Sequence, residues 1–358
     1  MMIFIYFGIP PTPPRKKSGP APSFAGFFYL SAGLAMMFAA LQQGQRLDWW
    51  RSGAFNAGFW CGIFFLLCAL VRRLRAANPL VALPYLLKWN TILLGLLLFW
   101  FRFTLCTTII LIPQSLAIRG FEADQIGPAI IWSAVPLIPV AFFAALLLLR
   151  KFDPRLLLAM GLACTALAAW LNSQYSSTWA AENFYRTELL TGVGQSFAFI
   201  GLVGCIVLQA IFTGGLSKPE WVLSFSAFFH VVRLFGGTAG AIYMGHFIAQ
   251  REKVHSNLLG LHVSSGNWIT DQNVRALTAG MYAKTSGMAA AGARAVELVA
   301  ARLRLQAYSL SLVDGFLLIS WSCVCALILV ALLRRPPLNY GDLSEMQQPP
   351  AAQKESSR

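Results

Sequence analysis

The chain has 358 residues, of which 57% are apolar and 12% charged, with a formal net charge of +14. No soluble core of this length absorbs that much apolar surface, and the charges cluster between long apolar runs, so the bilayer is the solvent and a water-soluble domain is excluded. The basic excess belongs to the loops of a membrane protein rather than to a nucleic-acid surface.

In chain order the apolar runs are Phe24 to Leu41, Ala54 to Val71, Ile92 to Ile112, Pro128 to Leu149, Leu156 to Leu171, Leu189 to Ile211, Val222 to Ala249 and Leu312 to Leu333. Each approaches the roughly 20 residues that a spanning helix needs. The expected fold is therefore an all-α, polytopic membrane bundle of about eight transmembrane helices.

Ahead of the first span, Met1 to Pro10 is apolar but too short to cross, and its positive cluster (Arg15, Lys16, Lys17) follows the apolar stretch, the reverse of a signal peptide. Beyond the last span, residues 336–358 read as a disordered tail. With both ends cytoplasmic, the inner segments hold the three cationic residues just named, Arg72, Arg73, Arg75, Lys88, Arg150, Lys151, Arg155, Lys218, Arg334, Arg335, Lys354 and Arg358, whereas the short outer loops hold Arg46, Arg51, Arg119 and Arg186. That asymmetry orients the chain. The segment 251–311 is the one sizeable outer loop, and within it Ala289 to Tyr308 carries Val296, Val299 and Leu303 at helical spacing, as an amphipathic helix does. All seven cysteines fall inside spans and define no disulfide framework.

Several segments carry a resemblance. Leu41-Gln42-Gln43-Gly44-Gln45-Arg46-Leu47-Asp48-Trp49 follows the first span, Asn78-Pro79-Leu80 precedes the third, and Ile112-Pro113-Gln114 lies near its end. Arg233-Leu234-Phe235-Gly236-Gly237-Thr238-Ala239-Gly240 occupies the seventh span, and Asp314-Gly315-Phe316 opens the eighth. Their order and spacing resemble the EmrB/QacA-type branch of the major facilitator superfamily, the fourteen-helix drug:proton antiporters. The resemblance implies a partition: residues 1–23 as a helix stub with a basic cytoplasmic segment, 24–71 as two central helices, 72–335 as the carboxy-terminal six-helix bundle, and 336–358 as the tail. The family's amino-terminal bundle has no counterpart here, so transport by this chain alone is not expected.

What the resemblance implies further is a bacterial inner-membrane location, a small amphiphilic substrate, the proton gradient as energy source with no cofactor, and two partners. These are the amino-terminal six-helix half and a periplasmic adaptor protein docking on the outer segment. The alternative is a truncated or accessory membrane subunit without transport of its own.

Among single residues, Arg102 and Arg233 each lie about 15 Å deep at 1.5 Å rise per residue, near mid-bilayer. A charge there is costly unless it faces protein, water or an opposite charge. Each either is satisfied by neighbouring polar groups or lines a central cavity. His230, one turn before Arg233, either packs or relays protons, and Gln195 either glues helices or lines the cavity. No acid stands at mid-depth, since Glu188 and Asp314 head their spans. Gly236 and Gly240, with Gly237, Ala241 and Gly245, form two rows of small residues for close helix packing. Pro128, Pro136 and Pro139 give the fourth span places to bend. Arg150-Lys151-Phe152-Asp153-Pro154-Arg155 resembles a degraded superfamily loop motif. No metal-ligand cluster, nucleophile elbow or phosphate loop is present, so an enzyme is not expected.

Overall fold

A computed structural model describes residues 24–75, 86–176, 178–213, 219–263, 266–283, 287–335 and 340. The amino-terminal stub with its basic cluster, Asn78-Pro79-Leu80 and almost all of the tail lie outside those residues. The helices are α1 (Phe24–Gln43), α2 (Gly53–Arg75), α3 (Trp89–Thr104), α4 (Ile112–Ala117), α5 (Ala123–Ala134), α6 (Leu137–Leu149), α7 (Pro154–Asn172), α8 (Tyr185–Phe212), α9 (Pro219–Leu261), α10 (Trp268–Tyr282) and α11 (Met288–Leu332). They supply eight segments long and apolar enough to cross a membrane, with α3 and α4 sharing the third and α5 and α6 the fourth. The protein is a polytopic helical membrane bundle.

Two of these spans are composite for a shared reason. Pro113 has no N–H for the carbonyl four residues earlier, and the chain between α3 and α4 widens into a π turn at Thr107–Leu111. Pro136 ends α5 likewise, and α6 restarts at the next residue, so of the three prolines in this span it is Pro136 that breaks it.

The third span is central, with 61% of its most apolar window buried, against 11% in each of the first two. Helices α1 and α2 pack chiefly against each other and touch the rest through α9, where Phe38 meets Phe235 and Trp49 meets His246. The remaining spans form one packed unit: α8 against α7, α5, α6 and α3; α11 against α7, α9 and α3; and α9 against α3. Outward surfaces carry Phe24, Phe64, Ile138, Phe142, Trp321 and Ile328, all more than half exposed. Such a surface belongs against acyl chains, where helices alone satisfy their own backbone polar groups.

The tightest contact joins α7 to α8. A Cβ on Gly161 would fall 2.2 Å from the Ala198 nitrogen, one on Gly201 2.4 Å from the Leu158 nitrogen, and one on Gly194 2.6 Å from the Thr165 hydroxyl. The two backbones are therefore in contact along an antiparallel register, the arrangement small residues permit in membranes. On α9, Gly236 abuts the Phe99 backbone and Gly240 Phe103, both on the third span, while Gly237 meets the Arg102 guanidinium, Gly245 the Gln45 side chain in the turn after α1, and Ala241 between them is exposed.

One expectation needs correction. The segment 251–311 is not a loop bearing a separate amphipathic helix, because α9 runs on to Leu261 and α11 starts at Met288. Between Met288 and Leu312 only Gly292 interrupts a run rich in strong helix formers, so Ala289 to Tyr308 fuses with the last span. At 45 residues α11 is about 68 Å long, over twice the ~30 Å hydrocarbon core. Its extension carries α10 at its side and buries Ala291 and Ala295.

The α7–α8 contact yields a test. Gly201→Ala places a methyl against backbone that has no room to move, so it should lower unfolding stability in detergent by about 1–3 kcal/mol. Gly260→Ala, with nothing within 4 Å, should be neutral or gain up to ~1 kcal/mol from helix propensity. Equal melting of the Gly201→Ala and wild-type proteins would refute the close approach.

Candidate functional site: a cavity between four spans

The third span presents Leu98, Phe101, Arg102 and Leu105 to a cavity of about 300 Å³, which Leu137 and Ala141 of α6, Gln195, Ser196 and Phe199 of α8, and Arg233 of α9 complete. The walls are mostly apolar, with polar groups converging from three helices, as small-molecule sites are built. Its two cations face each other, and their like charges repel. The structure thus brings together three of the four residues singled out from sequence, Arg102, Gln195 and Arg233.

His230 is the fourth, and it is not among the lining residues. It sits one turn closer to the amino-terminal end of α9, on an exposed side, since three residues of helix rotate a side chain about 60° away from its neighbour's direction. Arg233 is exposed and Arg102 half-buried. Arg102 is held by the glycine face of α9, yet its Nε has no hydrogen-bond partner, nor has Gln195 Nε2. Among the described residues no ion pair reaches either arginine. The cavity therefore offers donors and positive charge without a matching acceptor.

Two helix turns further along α8 lies a residue that sequence reasoning placed at the membrane boundary. A 3₁₀ turn at Ala181–Phe184 starts this span before its apolar run, so Glu188 is already inside the bundle and is 0% exposed. The hydroxyls of Thr108, Ser133 and Thr191 surround its carboxyl. Those of Ser133 and Thr191 donate instead to the carbonyls of Ile130 and Thr187, at 2.7 and 2.8 Å. Neither Glu188 oxygen has a hydrogen-bond partner, and neither has the Thr108 hydroxyl. The run Leu189 to Ile211 hides this from a hydropathy reading; the one usable signal is Gly192, four residues on, which lets the Ser133 carbonyl approach.

At one end of the bundle Asp314 ties α11 to α9, its Oδ2 accepting from Arg251 Nε at 2.6 Å and lying 2.7 Å from His255 Nε2. At the other end Asp153 caps α7 by accepting from the Arg155 backbone N–H at 2.9 Å and from its guanidinium at 2.8 Å. Arg155 also donates to the Leu333 carbonyl at 2.8 Å, and Arg335 stands 3.9 Å from Asp153. The loop motif thus clamps the α6–α7 corner to the end of the last span. Burial pushes the Asp153 carboxyl up, but the Arg155 side-chain and backbone hydrogen bonds and the charges of Arg155 and Arg335 outweigh it and hold the group below the usual carboxylate range.

These features define a multi-pass membrane protein with a cationic, amphiphilic cavity in its bundle. No protein-family profile matches the chain. Over 255 residues, 69% of its length, it is 24% identical to the colistin resistance protein EmrB of Acinetobacter baumannii, 48% of which the match covers. The chain spans about half the length of this curated relative.

The Asp153 clamp generates a pH prediction. A carboxyl held below its unfolded value stabilises the fold above that value, about 3.9, and loses the contribution as pH falls through its folded value. Asn keeps the cap and removes only the charge, so Asp153→Asn should cost about 0.3–1 kcal/mol of stability near neutrality. The gap between variant and wild type should narrow as detergent-solubilised protein is melted at progressively lower pH in the acid range. A gap independent of pH would remove the charge from the account.

Proposed function

We propose that this chain is part of a membrane transporter that exports small amphiphilic molecules against the proton gradient, with both termini in the cytoplasm of a bacterial inner-membrane protein. The observation that carries the reading is the cavity bounded by Arg102, Gln195 and Arg233, a mostly apolar chamber within membrane-spanning helices. Its apolar walls take the hydrophobic part of a substrate by area alone. The positive charges of Arg102 and Arg233 on its wall favour an acceptor group, so neutral or anionic amphiphiles fit better than polycations.

The similarity to the Acinetobacter protein, whose name associates it with colistin resistance, supports export as the direction. Because that match covers 48% of the relative, the chain acts in this reading with a further six-span half, which supplies the facing wall of the path. The outer extensions of α9 and α11 with α10 are the surface on which a periplasmic adaptor docks. The proton gradient supplies the energy, and no cofactor takes part.

Dye export from efflux-deficient cells tests this. Expressed by itself the chain should leave dye retention unchanged, and with a six-span amino-terminal half it should restore export that an uncoupler abolishes. Arg233→Ala in that assembly should reduce export about tenfold or more, equivalent to ~1.4 kcal/mol, at unchanged abundance, and Arg102→Ala should act less completely. Full export by both variants, or robust export by the chain on its own, would overturn the reading.

A further inference from the structure

Glu188 is the most expensive side chain in the bundle as it stands. It is fully buried, both oxygens lack partners, and no ion pair reaches it among the described residues. An ionised carboxylate in that position is uncompensated, so the site requires a proton or a cation upon it. Around it the polar groups are of one kind: the Thr108 hydroxyl, also without a partner, and the Ser133 and Thr191 hydroxyls, which lie beside the carboxyl while donating to backbone carbonyls. Thr107 Oγ1 beside Thr108 is a further buried group with no partner.

The backbone explains why these groups are left over. Threonine in an α-helix normally donates to the carbonyl four residues back, but Thr107 and Thr108 sit in the π turn that Pro113 imposes, where that geometry is lost. Ser133 lies three residues before Pro136, at the break between α5 and α6. Two proline-induced irregularities in separate spans therefore aim hydroxyls at one carboxyl of a third. On the remaining side, the register that sets Thr165 against Gly194 brings Asn172 level with Thr187, and Asn172 is fully buried with both amide atoms unpartnered.

We propose that Glu188, with Thr108, Ser133 and Thr191, is a proton-binding site of this bundle, loaded and unloaded through the neighbouring cavity. Uptake converts the carboxylate to the neutral acid, with the proton delivered by a hydronium ion that leaves as water; release reverses both steps. A neutral acid is also a donor, which lets it bond to a hydroxyl oxygen that its ionised form cannot use in that way. The route is short. Gln195 and Ser196 of the cavity wall are seven and eight residues along the same helix, about 10–12 Å, and Arg102 is six residues from Thr108, about 9 Å.

Titratable groups on the elements packed around Glu188 are Arg102 and Cys106 on the third span, Glu122 and Asp124 at the head of α5, Arg155 and Cys164 on α7, Tyr175 beyond its end, Glu182 in the 3₁₀ turn, and Tyr185, Arg186 and Cys205 on α8. None forms a hydrogen bond or ion pair with it, and the arginines of the cavity are placed to favour the ionised state over distance. Substrate entering between Arg102 and Arg233 screens those charges and so changes proton affinity at Glu188. That coupling rests on the transport reading above; proton binding itself does not.

Infrared difference spectroscopy of the purified full chain in lipid nanodiscs reads the acid directly. A protonated-carboxyl stretch should fade as pH is raised, vanish at all pH values in Glu188→Gln, and titrate with an altered midpoint in Thr108→Val and Ser133→Ala. Thermal unfolding of each variant checks that the bundle is intact. A spectrum of Glu188→Gln identical to wild type, or a carboxyl band displaced by sodium but not by pH, overturns the site. If the band titrates as stated while Glu188→Gln leaves proton-driven export by the complete assembly unaltered, the proton site stands and its coupling to transport falls.

Discussion

Contact between the backbones of α7 and α8, through Gly161, Gly194 and Gly201, sets the positions of the polar groups on which everything else turns. In a bilayer, association gains little from hydrophobicity because lipid tails are as apolar as leucine, and close packing has to supply the attraction. With one face of α8 pinned to α7, its other face is fixed against the broken fourth span, where Gly192 meets the Ser133 carbonyl and the Pro136 ring. Glu188, Gln195 and Ser196 are thereby aimed between the third, fourth and sixth spans rather than at lipid. Any slip of this register would turn a carboxyl into hydrocarbon.

Irregular backbone serves the same end. The π turn before α4 leaves the Thr107 and Thr108 hydroxyls without their usual helical acceptors, and the break at Pro136 brings Ser133 close to the same acid. Their placement around Glu188, two turns from a cavity carrying Arg102 and Arg233, makes one polar corridor with a buried acid at one end and two arginines at the other. The corridor's cost is offset by two apolar cores that hold it in place. One is centred on Leu111, Phe184, Leu312 and Phe316, the other on Leu97, Leu158, Leu202 and Ala326.

The spans and their order are legible in the sequence because hydropathy over a run of residues reports transfer into lipid, a property each segment carries by itself. Arg102 and Arg233 stand out for the same reason, as costly exceptions within apolar runs. Glu188 does not, since an acid at the head of such a run resembles an interfacial residue until Thr108 and Ser133 close over it from other spans. His230 shows the converse: closeness to Arg233 in sequence suggests a shared role, but rotation along the helix removes it from the cavity wall. Gly194 and Gly201 stand seven apart on one face of α8, the same kind of stripe as Gly236 and Gly240, yet the nearby Gln195 draws attention to polarity instead of packing. Fusion of the helix at Ala289 to Tyr308 with the last span depends on an alanine-rich junction that propensity describes well and span-by-span reading cuts in two.

Everything functional here depends on a water-accessible chamber between the third, fourth, sixth and seventh spans, its walls mostly apolar and its polar groups Arg102, Gln195, Ser196 and Arg233. Its most direct measurement is the reactivity of single cysteines, in an otherwise cysteine-free chain reconstituted into vesicles, toward a water-soluble maleimide. Cysteine at Gln195 should react readily, and cysteine at Trp321, on the lipid-facing side of α11, should not. Protection at residue 195, or equal reaction at both positions, would contradict the account.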